Sequence, residues 1–260
     1  MHVFSNSTSE LSSWIREEVE HERDLDDGAR GMAVRRVQEW LNLHGHGVTV
    51  DSEFGPATRT AVENFQHGAG LQATGRVDAA TFALLVEPML SVLRRRDDVG
   101  NDVPTATIAY GQAHLAVHPI EVGGQNRGPW VRLYTGGKDG EEWAWCSAFV
   151  CFLMHQAAET LGVNPPIAGS VSCDSVVAQA RQVDRFRSEA DAQRLGVPDG
   201  SIFLVRRTAS DWTHDGLVVH AGPTTFTTIE GNTNDEGSRE GFEVCARTRS
   251  YPDKDFVLLG

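Results

Sequence analysis

Cys146 is the residue whose type and position most directly suggest chemistry in this 260-residue chain. It follows two tryptophans in "EEWAWCSAFVCFLMHQA" and begins an apolar segment, residues 145–162, that has the pattern of a helix. A thiol in the first turn of a helix lies in the positive field of the helix dipole and beside free backbone amides. These features lower its pKa and can stabilise an oxyanion. Cys146 is therefore a candidate nucleophile, whereas Cys151, further along the helix, is interpreted as packing.

A cysteine nucleophile needs a base, and the chain has ten histidines. Surface or loop positions near the N-terminus explain four of them: His21, His44, His46 and His67. His114 and His118 precede the cysteine in a segment with no oriented partner, and His155 lies too far along the cysteine's own helix to reach its sulfur. The choice of base therefore lies between His214 and His220.

His214 begins one β-prone run, "WTHDGLVVHAG", and Glu230 ends the next, "FTTIEGN". If the two runs form a hairpin, the start of the first lies beside the end of the second. Glu230 would then orient the His214 ring and stabilise its protonated form. His220, at the turn end of the same hairpin, is the less favoured base. Asp215 next to the base could raise the pKa of His214 or face solvent on the other side of the strand.

The elements that must position these residues are predicted from periodicity. Helical patterns occur at residues 7–25, 32–43, 57–66, 78–86, 105–117 and 145–162. The first of them begins with Ser7 and Glu10 at capping-box spacing. Short β-prone runs follow the last helix, namely "GSIFLVRR", "DGLVVHAG", "FTTIEGN", "FEVCARTRS" and "DFVLLG". A helix-rich half followed by antiparallel strands predicts an α+β fold.

Residues 28–85 resemble a peptidoglycan-binding domain of the three-helix type. The matching motif positions are Gly28, Gly31, Val34, Val37, Gln38, Asp51, Phe54, Gly55, Thr58, Val62, Phe65, Gln66, Gly75, Val77, Asp78 and Thr81. Most of these positions are interpreted as scaffold. Thr58 and Thr81 lie at helix starts, where hydroxyls can satisfy free amides. The resemblance implies a small three-helix N-terminal bundle that binds the cell wall.

The segments "WCSAFVCFLM", "VPDGSIFLV", "THDGLVVHAG" and "IEGN" resemble, in this order, the CHAP amidase/peptidase family, which is related to the NlpC/P60 peptidases of the papain-like group. The resemblance implies a papain-like catalytic domain with Cys146 as nucleophile, His214 as general base, Glu230 as the orienting acid and Asn232 as a further polar member of the site. Two departures are the Thr-His-Asp-Gly around the base, where the family has Gly-His-Val-Gly, and Pro-Asp-Gly in place of Pro-Gly-Asp.

By analogy with the same group, two loops before the cysteine hold further candidates. Gln125 or Asn126 could supply a second oxyanion donor, with a Gly-rich surface loop as the alternative. Asp139, Glu141 and Glu142 could bind a cation, but they lack an ordered ligand pattern, and a solvated loop is the favoured interpretation. We therefore predict no metal and no cofactor.

Composition limits the partners. Acidic residues outnumber basic ones by 36 to 23, and the formal charge of −13 argues against nucleic acid, because phosphate binding needs a basic surface. No membrane span is predicted, since no apolar run approaches about 18 residues. The N-terminus lacks the basic start and apolar core of a secretory signal. This predicts synthesis in the cytoplasm and release by a dedicated route.

The four cysteines contain no C-x-x-C pair, so neither a structural zinc site nor a dense disulfide framework is predicted. A single Cys173–Cys245 bridge stays open for a protein that works in an oxidising space.

Together these patterns predict a peptidoglycan hydrolase, an N-acetylmuramoyl-L-alanine amidase or a stem or cross-bridge endopeptidase, acting on the cell wall as a monomer. Its predicted parts are residues 1–92 for wall binding, a linker at 93–104 and a catalytic domain at 105–260. A phage endolysin or an exported antibacterial effector with an immunity protein fits the missing signal better than a housekeeping enzyme. The alternative is a non-catalytic wall-binding protein.

Overall fold

The computed structural model of the protein describes residues 1–233 and 241–260. A 3₁₀ helix, Thr8–Glu10, is followed by the helices α1 (Ser13–Val19), α2 (Met32–Leu43), α3 (Pro56–Gly68), α4 (Ala79–Leu85), α5 (Glu87–Leu93), α6 (Val103–Val117), α7 (Pro129–Tyr134), α8 (Cys146–Leu161), α9 (Cys173–Gln182) and α10 (Glu189–Leu195). The strands are β1 (Phe186–Arg187), β2 (Ile202–Thr208), β3 (Asp211–Ala221), β4 (Thr225–Thr233), β5 (Glu243–Ser250) and β6 (Lys254–Val257).

The strands form one antiparallel sheet in the order β1-β6-β2-β3-β4-β5. Helices α6 and α8 pack together and against the central strands β3 and β4. Gly111 lets α6 come close to the sheet, because a Cβ there would lie 2.9 Å from the Leu217 side chain. A smaller apolar cluster that includes Phe203, Phe226 and Phe256 packs together with residues of α10. The mixture of helices and an antiparallel sheet confirms the α+β prediction.

The predicted helix at residues 7–25 is interrupted. The capping box between Ser7 and Glu10 is present, but it begins only a single 3₁₀ turn, and the backbone at Leu11 is extended. Leu11 is buried in the core, and Ser12 N donates to Met1 O, so the chain turns before α1 begins. The prediction of one continuous helix was wrong because the tertiary contacts of Leu11 override the local helical pattern.

Two buried glutamines hold the loops between the N-terminal helices. Gln66 Nε2 donates to Arg76 O at 2.8 Å and to Thr81 Oγ1 at 3.0 Å, while its Oε1 accepts from the backbone N–H groups of Thr74 and Gly75. Gln38 makes an equivalent set of bonds to the loop before α3, including one to the Thr58 hydroxyl.

The threonines of this motif therefore differ from their predicted role. The hydroxyls of Thr58 and Thr81 accept hydrogen bonds from the two buried amides. The first turn of α4 is capped by Asp78, whose carboxylate accepts from Thr81 N. Sequence spacing showed that these threonines lie near helix starts but not which group they satisfy.

We expect Gln66→Met to lower the free energy of unfolding by about 2–3 kcal/mol, because the loop N–H groups and the Thr81 hydroxyl lose buried partners. Chemical denaturation measures the change. Gln72→Met, at an exposed position in the same loop, is the control and should stay within about 0.5 kcal/mol of wild type. Equal effects of the two substitutions would show that the Gln66 bonds contribute nothing to stability.

Residues 94–102 connect the N-terminal helices to α6 without regular helix or strand in this fully described stretch. They are nevertheless fastened, because Arg95 N donates to Phe4 O at 2.8 Å and Arg96 N donates to Tyr110 Oη at 3.3 Å. Among the described residues, none of the helices combines the length and apolar character needed to cross a bilayer.

A buried arginine joins the two halves of the chain. Arg132 on α7 donates to both oxygens of Glu18 at 2.8 Å, to Glu39 at 2.6 Å and to Asp139 at 3.0 Å. Glu18 lies on α1 and Glu39 on α2. Arg132, Glu18 and Glu39 are each at most 3% exposed. Burial would lower the pKa of Arg132, but the two glutamates raise it, so the guanidinium stays charged.

Candidate active site

Cys146 is the first residue of α8, as the sequence predicts, and Trp145 before it is completely buried. The Trp145 ring stacks on Tyr134 at 5.5 Å, and its Nε1 donates to Glu121 Oε1 at 2.8 Å. Gly231 on β4 packs directly here, since a Cβ at that position would lie 2.8 Å from both Trp145 and Phe149. The helix start that holds the thiol is therefore fixed from three sides.

The hairpin predicted for His214 and Glu230 is confirmed. Strands β3 and β4 pair antiparallel with Leu217 opposite Ile229, and His214 Nε2 lies 2.8 Å from Glu230 Oε2. The other ring nitrogen, Nδ1, is buried and has no hydrogen-bond partner among the described residues. The thiolate of Cys146 is nevertheless close enough to raise the pKa of the ring.

Glu230 is held by two further side chains that the sequence reading did not identify. Arg249 on β5 donates to both of its oxygens, at 2.8 and 2.5 Å, and Thr228 Oγ1 donates to Oε1 at 2.6 Å. The carboxylate is 0% exposed, so these donors satisfy a charge that water cannot reach. In the sequence, Arg249 could be recognised only as a residue of an alternating β-prone run. Arg247 occupies an equivalent position two residues earlier, so the pattern did not distinguish the two.

The site favours a charged thiolate and a charged imidazole. The neighbouring Cys173 and His214 side chains hold the pKa of Cys146 well below its ordinary value despite burial. Burial alone would lower the pKa of His214, but the neighbouring Cys146 thiolate and the bond to Glu230 raise it to about 10. Burial would raise the pKa of Glu230, whereas Arg249 and His214 lower it to about 2.

These shifts also make the pair a stabilising element with a defined pH window. The raised pKa of His214 contributes stability that is complete below its unfolded value of 6.5 and is lost as the pH rises through about 10. The lowered pKa of Glu230 contributes stability that is complete above 4.5 and is lost as the pH falls through about 2. Both contributions are therefore complete between pH 4.5 and 6.5.

We expect a reaction at this thiol that needs a proton from His214 to keep its rate from neutral pH to about pH 9 and to slow as the pH rises through about 10, where His214 loses that proton. On the acid side, the rate should fall only at a pH well below the ordinary pKa of a thiol, where Cys146 becomes protonated. Alkylation of Cys146 by iodoacetamide as a function of pH measures the acid limb without a substrate. A single alkylation midpoint near the ordinary thiol pKa of 9 would contradict the ion pair.

The sulfur lies in a cleft of about 240 Å³. Its lining residues are Gln125, Asn126, Glu141, Glu142, Ala144, Cys146, Thr213 and Asn232. Asn232 is 2% exposed, has a positive φ of 51°, and its Oδ1 has no hydrogen-bond partner among the described residues. The structure thus brings all four sequence-predicted site residues, Cys146, His214, Glu230 and Asn232, to one place.

The structure shows the contacts of the loop residues considered as oxyanion donors or cation ligands. Asn126 Nδ2 donates to Glu141 O at 2.9 Å, so this amide fastens the loop, and both Asn126 and Gln125 line the cleft. Asp139 does not form an acidic cluster with its neighbours, because Arg35 and Arg132 bind it at 2.8 and 3.0 Å. Glu141 and Glu142 are exposed, as predicted.

The histidines that precede the cysteine do have oriented partners, contrary to the prediction. His114 is completely buried between Tyr134 Oη at 2.9 Å and Gln156 Oε1 at 3.0 Å, and burial lowers its pKa to about 4. His118 lies 2.5 Å from Glu243. These partners come from distant elements, which explains why the sequence did not reveal them. His220 lies on the surface beside Asp199, away from Glu230.

Asp215 does not face solvent. It is 0% exposed, is hydrogen-bonded to Ser147 Oγ, and burial raises its pKa well above the ordinary value. The Ser147 hydroxyl lies between this carboxyl and Cys173, whose Sγ is 3.3 Å from Ser147 Oγ. Polar contacts thus lead from Asp215 through Ser147 to Cys173, and the Cys173 sulfur lies within 4.8 Å of the Cys146 sulfur.

Three of these side chains have ligand types from which metal sites are built. The sulfurs of Cys146 and Cys173 and a carboxylate oxygen of Asp215 lie within 4.8 Å of one another. Two thiolates and a carboxylate suit zinc, which takes four ligands in structural sites. The set supplies three, and one of them is the sulfur that faces His214, so we assign no metal to it.

All four cysteines are free thiols in the structure. Cys151 is buried and burial raises its pKa to about 12, which agrees with a packing role. The neighbour of Cys173 is Cys146, and Cys245 lies on β5 with partial exposure. A Cys173–Cys245 bridge, left open by the sequence, is not formed.

Residues 30–85 match the family model of the peptidoglycan binding domain. The chain is 41% identical over 63 residues to the zinc D-Ala-D-Ala carboxypeptidase of Streptomyces albus G, a match that covers 22% of this chain and 24% of that protein. The chain thus spans about a quarter of the length of this curated relative. The chain carries a peptidoglycan-binding domain, and the matched family model does not include Cys146, His214 or Glu230.

Two solved structures are also similar over part of the chain. The SleB N-terminal domain is 34% identical and covers 26% of this chain and 93% of its own, with a TM-score of 0.25. A fused Zn-dependent amidase/peptidase/peptidoglycan-binding protein from Clostridium acetobutylicum is 26% identical and covers 36% of this chain and 44% of its own, also with a TM-score of 0.25. At these TM-scores neither structure bears on the fold of the whole chain.

Proposed function

We propose that the protein is a cysteine-dependent peptidoglycan hydrolase, either an N-acetylmuramoyl-L-alanine amidase or a stem or cross-bridge endopeptidase. The observation that carries the proposal is the thiol of Cys146, which begins α8 at the floor of a cleft and shares His214 with the buried carboxylate of Glu230. Such a constellation fits the triad logic of acyl transfer, in which nucleophile, base and orienting acid form one hydrogen-bonded row.

The peptidoglycan-binding domain supplies the substrate class. A tethered enzyme meets its polymer at a high effective concentration, so weak wall affinity is sufficient. This also reconciles the chain's net negative charge with an anionic wall, since binding then depends on shaped contacts and not on long-range attraction. We assign the N-terminal helices to a three-helix wall-binding bundle and residues 105–260 to a papain-like CHAP catalytic domain.

In the first half of the proposed reaction, the Cys146 thiolate attacks an amide carbonyl carbon of the peptidoglycan peptide. The oxyanion that forms is stabilised by the free backbone amides at the start of α8, which no side-chain cap occupies in the described part of the chain. His214 then gives its proton to the departing amine, the C–N bond breaks, and a thioester remains on Cys146.

In the second half, His214 takes a proton from water, and the resulting hydroxide attacks the thioester carbonyl. The C–S bond breaks, which releases the carboxylate product and restores the thiolate. Glu230 keeps the His214 ring in the tautomer that this exchange requires and stabilises its charge, while Arg249 keeps Glu230 ionised. Asn232 and Gln125 lie beside the reacting carbonyl in the cleft, where they can bind the peptide backbone.

The biological setting is part of the proposal. We place the enzyme at the cell wall, after holin-dependent release as a phage endolysin or after dedicated secretion as an antibacterial effector. The second case adds an immunity protein as partner. We propose that the monomer is the working unit.

The test is the loss of turbidity of purified cell walls. Wild type should clear them, and Cys146→Ala should not, although it should still sediment with the walls. Cys151→Ala removes a thiol from the same helix and should clear walls like wild type, because Cys151 lies outside the site. If wild type and Cys146→Ala clear walls equally, Cys146 is not the nucleophile.

A second function, a non-catalytic wall-binding protein, rests on the binding domain alone. It predicts that wild type and Cys146→Ala both sediment with walls and that neither releases soluble fragments. The buried ion pair of His214 and Glu230 argues against it, since a binding module gains nothing from an uncapped helix start opposite two buried charges.

A further inference from the structure

Cys173 lies beside Cys146, and the proposed mechanism gives it no covalent role. The two sulfurs are within 4.8 Å of each other, and their residues are 5% and 7% exposed. Cys173 begins α9, a separate helix that reaches the site from the segment after α8. The pair is therefore created by the fold and not by neighbourhood in sequence.

Cys173 belongs to the buried core, but its sulfur contacts a polar group there. Ser147 Oγ donates to the sulfur at 3.3 Å, and Ser147 is also hydrogen-bonded to the buried Asp215. A second thiol next to a reactive thiolate is the arrangement in which an oxidised cysteine is converted to a disulfide.

We propose that Cys146 and Cys173 are a peroxide-modified pair, in which a reversible disulfide between them switches the hydrolase off. The inference rests on the proposed function in that Cys146 is taken as the nucleophile. The cleft gives a small peroxide access to the Cys146 sulfur, and bridging requires the two sulfurs to approach from within 4.8 Å to the S–S bond length of about 2.05 Å.

The chemistry balances with hydrogen peroxide as oxidant. The Cys146 thiolate attacks one peroxide oxygen, the O–O bond breaks, and hydroxide leaves, so that Cys146 becomes a sulfenic acid. The sulfur of Cys173 then attacks the Cys146 sulfur and gives up its proton, the S–O bond breaks, and water is formed. In sum, two thiols and one hydrogen peroxide give one disulfide and two waters.

The pairing is selective within the chain. Cys146 has the lowered pKa that peroxide reactivity requires, and Cys151 has a pKa raised to about 12 by burial. Cys245 lies on β5 and does not belong to the thiol pair. The redox state of the compartment would then set the activity of the enzyme. Activity would be retained in a reducing cytoplasm and would decline in an oxidising space outside it.

The experiment uses the full chain, reduced and then exposed to hydrogen peroxide. A protease that cuts after glutamate places Cys146 in the peptide 143–159 and Cys173 in the peptide 160–189. A disulfide between the two cysteines therefore links two peptides that would otherwise be released separately. Cys151→Ala leaves one thiol in each peptide and makes the assignment unambiguous. Wall clearing is measured before treatment, after it, and after dithiothreitol, each relative to the same variant untreated.

We expect wild type, Cys151→Ala and Cys245→Ala to lose more than about nine tenths of their activity, because the thiolate is consumed, and to regain it with dithiothreitol. The linked peptide should appear two hydrogens lighter than the sum of its parts. Cys173→Ala and Cys173→Ser should show no linked peptide, and their lost activity should not return fully, since the sulfenic acid proceeds to irreversible acids.

The inference is overturned if peroxide yields no linked peptide in Cys151→Ala, or if Cys173→Ala recovers as completely as wild type. A different result would overturn the proposed function: the reduced wild-type protein would not clear walls. In that event the linked peptide still decides whether the two thiols form a bridge.

Discussion

Replacing His214 with glutamine should slow wall hydrolysis by about 10⁴-fold or more, because the nucleophile loses the group that keeps it ionised and the departing amine loses its proton donor. Glutamine can keep a hydrogen bond to Glu230, so the substitution removes the titrating ring without leaving that carboxylate unpaired. Initial rates of turbidity loss at matched protein concentration measure the effect.

His220→Gln is the matched control. His220 lies on the same strand, is exposed and contacts only Asp199 through a 3.3 Å bond among the described residues, so its loss should leave the rate within about twofold of wild type. Thermal unfolding of both variants separates lost chemistry from lost structure. Comparable rates for His214→Gln and His220→Gln would exclude His214 as the base.

Arg132→Met should lower the free energy of unfolding by about 3–5 kcal/mol. The substitution leaves Glu18 and Glu39 buried, and within the described residues Arg36 and Arg35 are the cations that still bond to them. An uncompensated charge in a low-dielectric interior is far more costly than a missing surface pair. The measurement is equilibrium unfolding in guanidinium, with the midpoint and the slope both reported.

Arg194→Met provides the control for this prediction. Arg194 is exposed and pairs with Asp191 on α10, an arrangement that contributes at most about 1 kcal/mol. If Arg132→Met is no more destabilised than Arg194→Met, the buried network does not hold the two halves of the chain together. The double replacement of Glu18 and Glu39 by glutamine should recover part of the loss in the Arg132→Met background, because the stranded charges are then removed.

The row of Cys146, His214 and Glu230 could be predicted because each residue carries a local signal. Cys146 stands at the start of an apolar helix, and the helix start follows from the pattern of residues 145–162. His214 and Glu230 stand at opposite ends of two short β-prone runs, and hairpin geometry alone brings such positions together. Their 2.8 Å contact is therefore a consequence of local rules.

The groups around that row could not be predicted, because they come from elements whose arrangement is set by tertiary packing. Arg249 reaches Glu230 from the next strand, and Cys173 reaches Cys146 from a helix that the sequence reading did not assign. Asp215 was expected either to raise the pKa of His214 or to face solvent, and it is completely buried. A single charged residue in a strand gives no indication of its partner when that partner is distant in sequence.

The same reason explains the errors elsewhere. His114 looked unpartnered because Tyr134 and Gln156 come from other helices, and the helix predicted at 7–25 was too long because Leu11 anchors the chain in the core. Local patterns thus located the α+β elements well where each had its own amphipathic or alternating signal. They could not indicate which polar side chains the packing would bring into contact.

The most direct test of the central claim is mass spectrometry of the fragments released from purified cell walls. Wild type should release fragments in which one amide bond has gained the elements of water, with a new amine and a new carboxylate at a single type of junction. Cys146→Ala should release none of them. The account is contradicted if the variant yields the same fragments, or if every fragment from wild type arises from cleavage between sugars with all amide bonds intact.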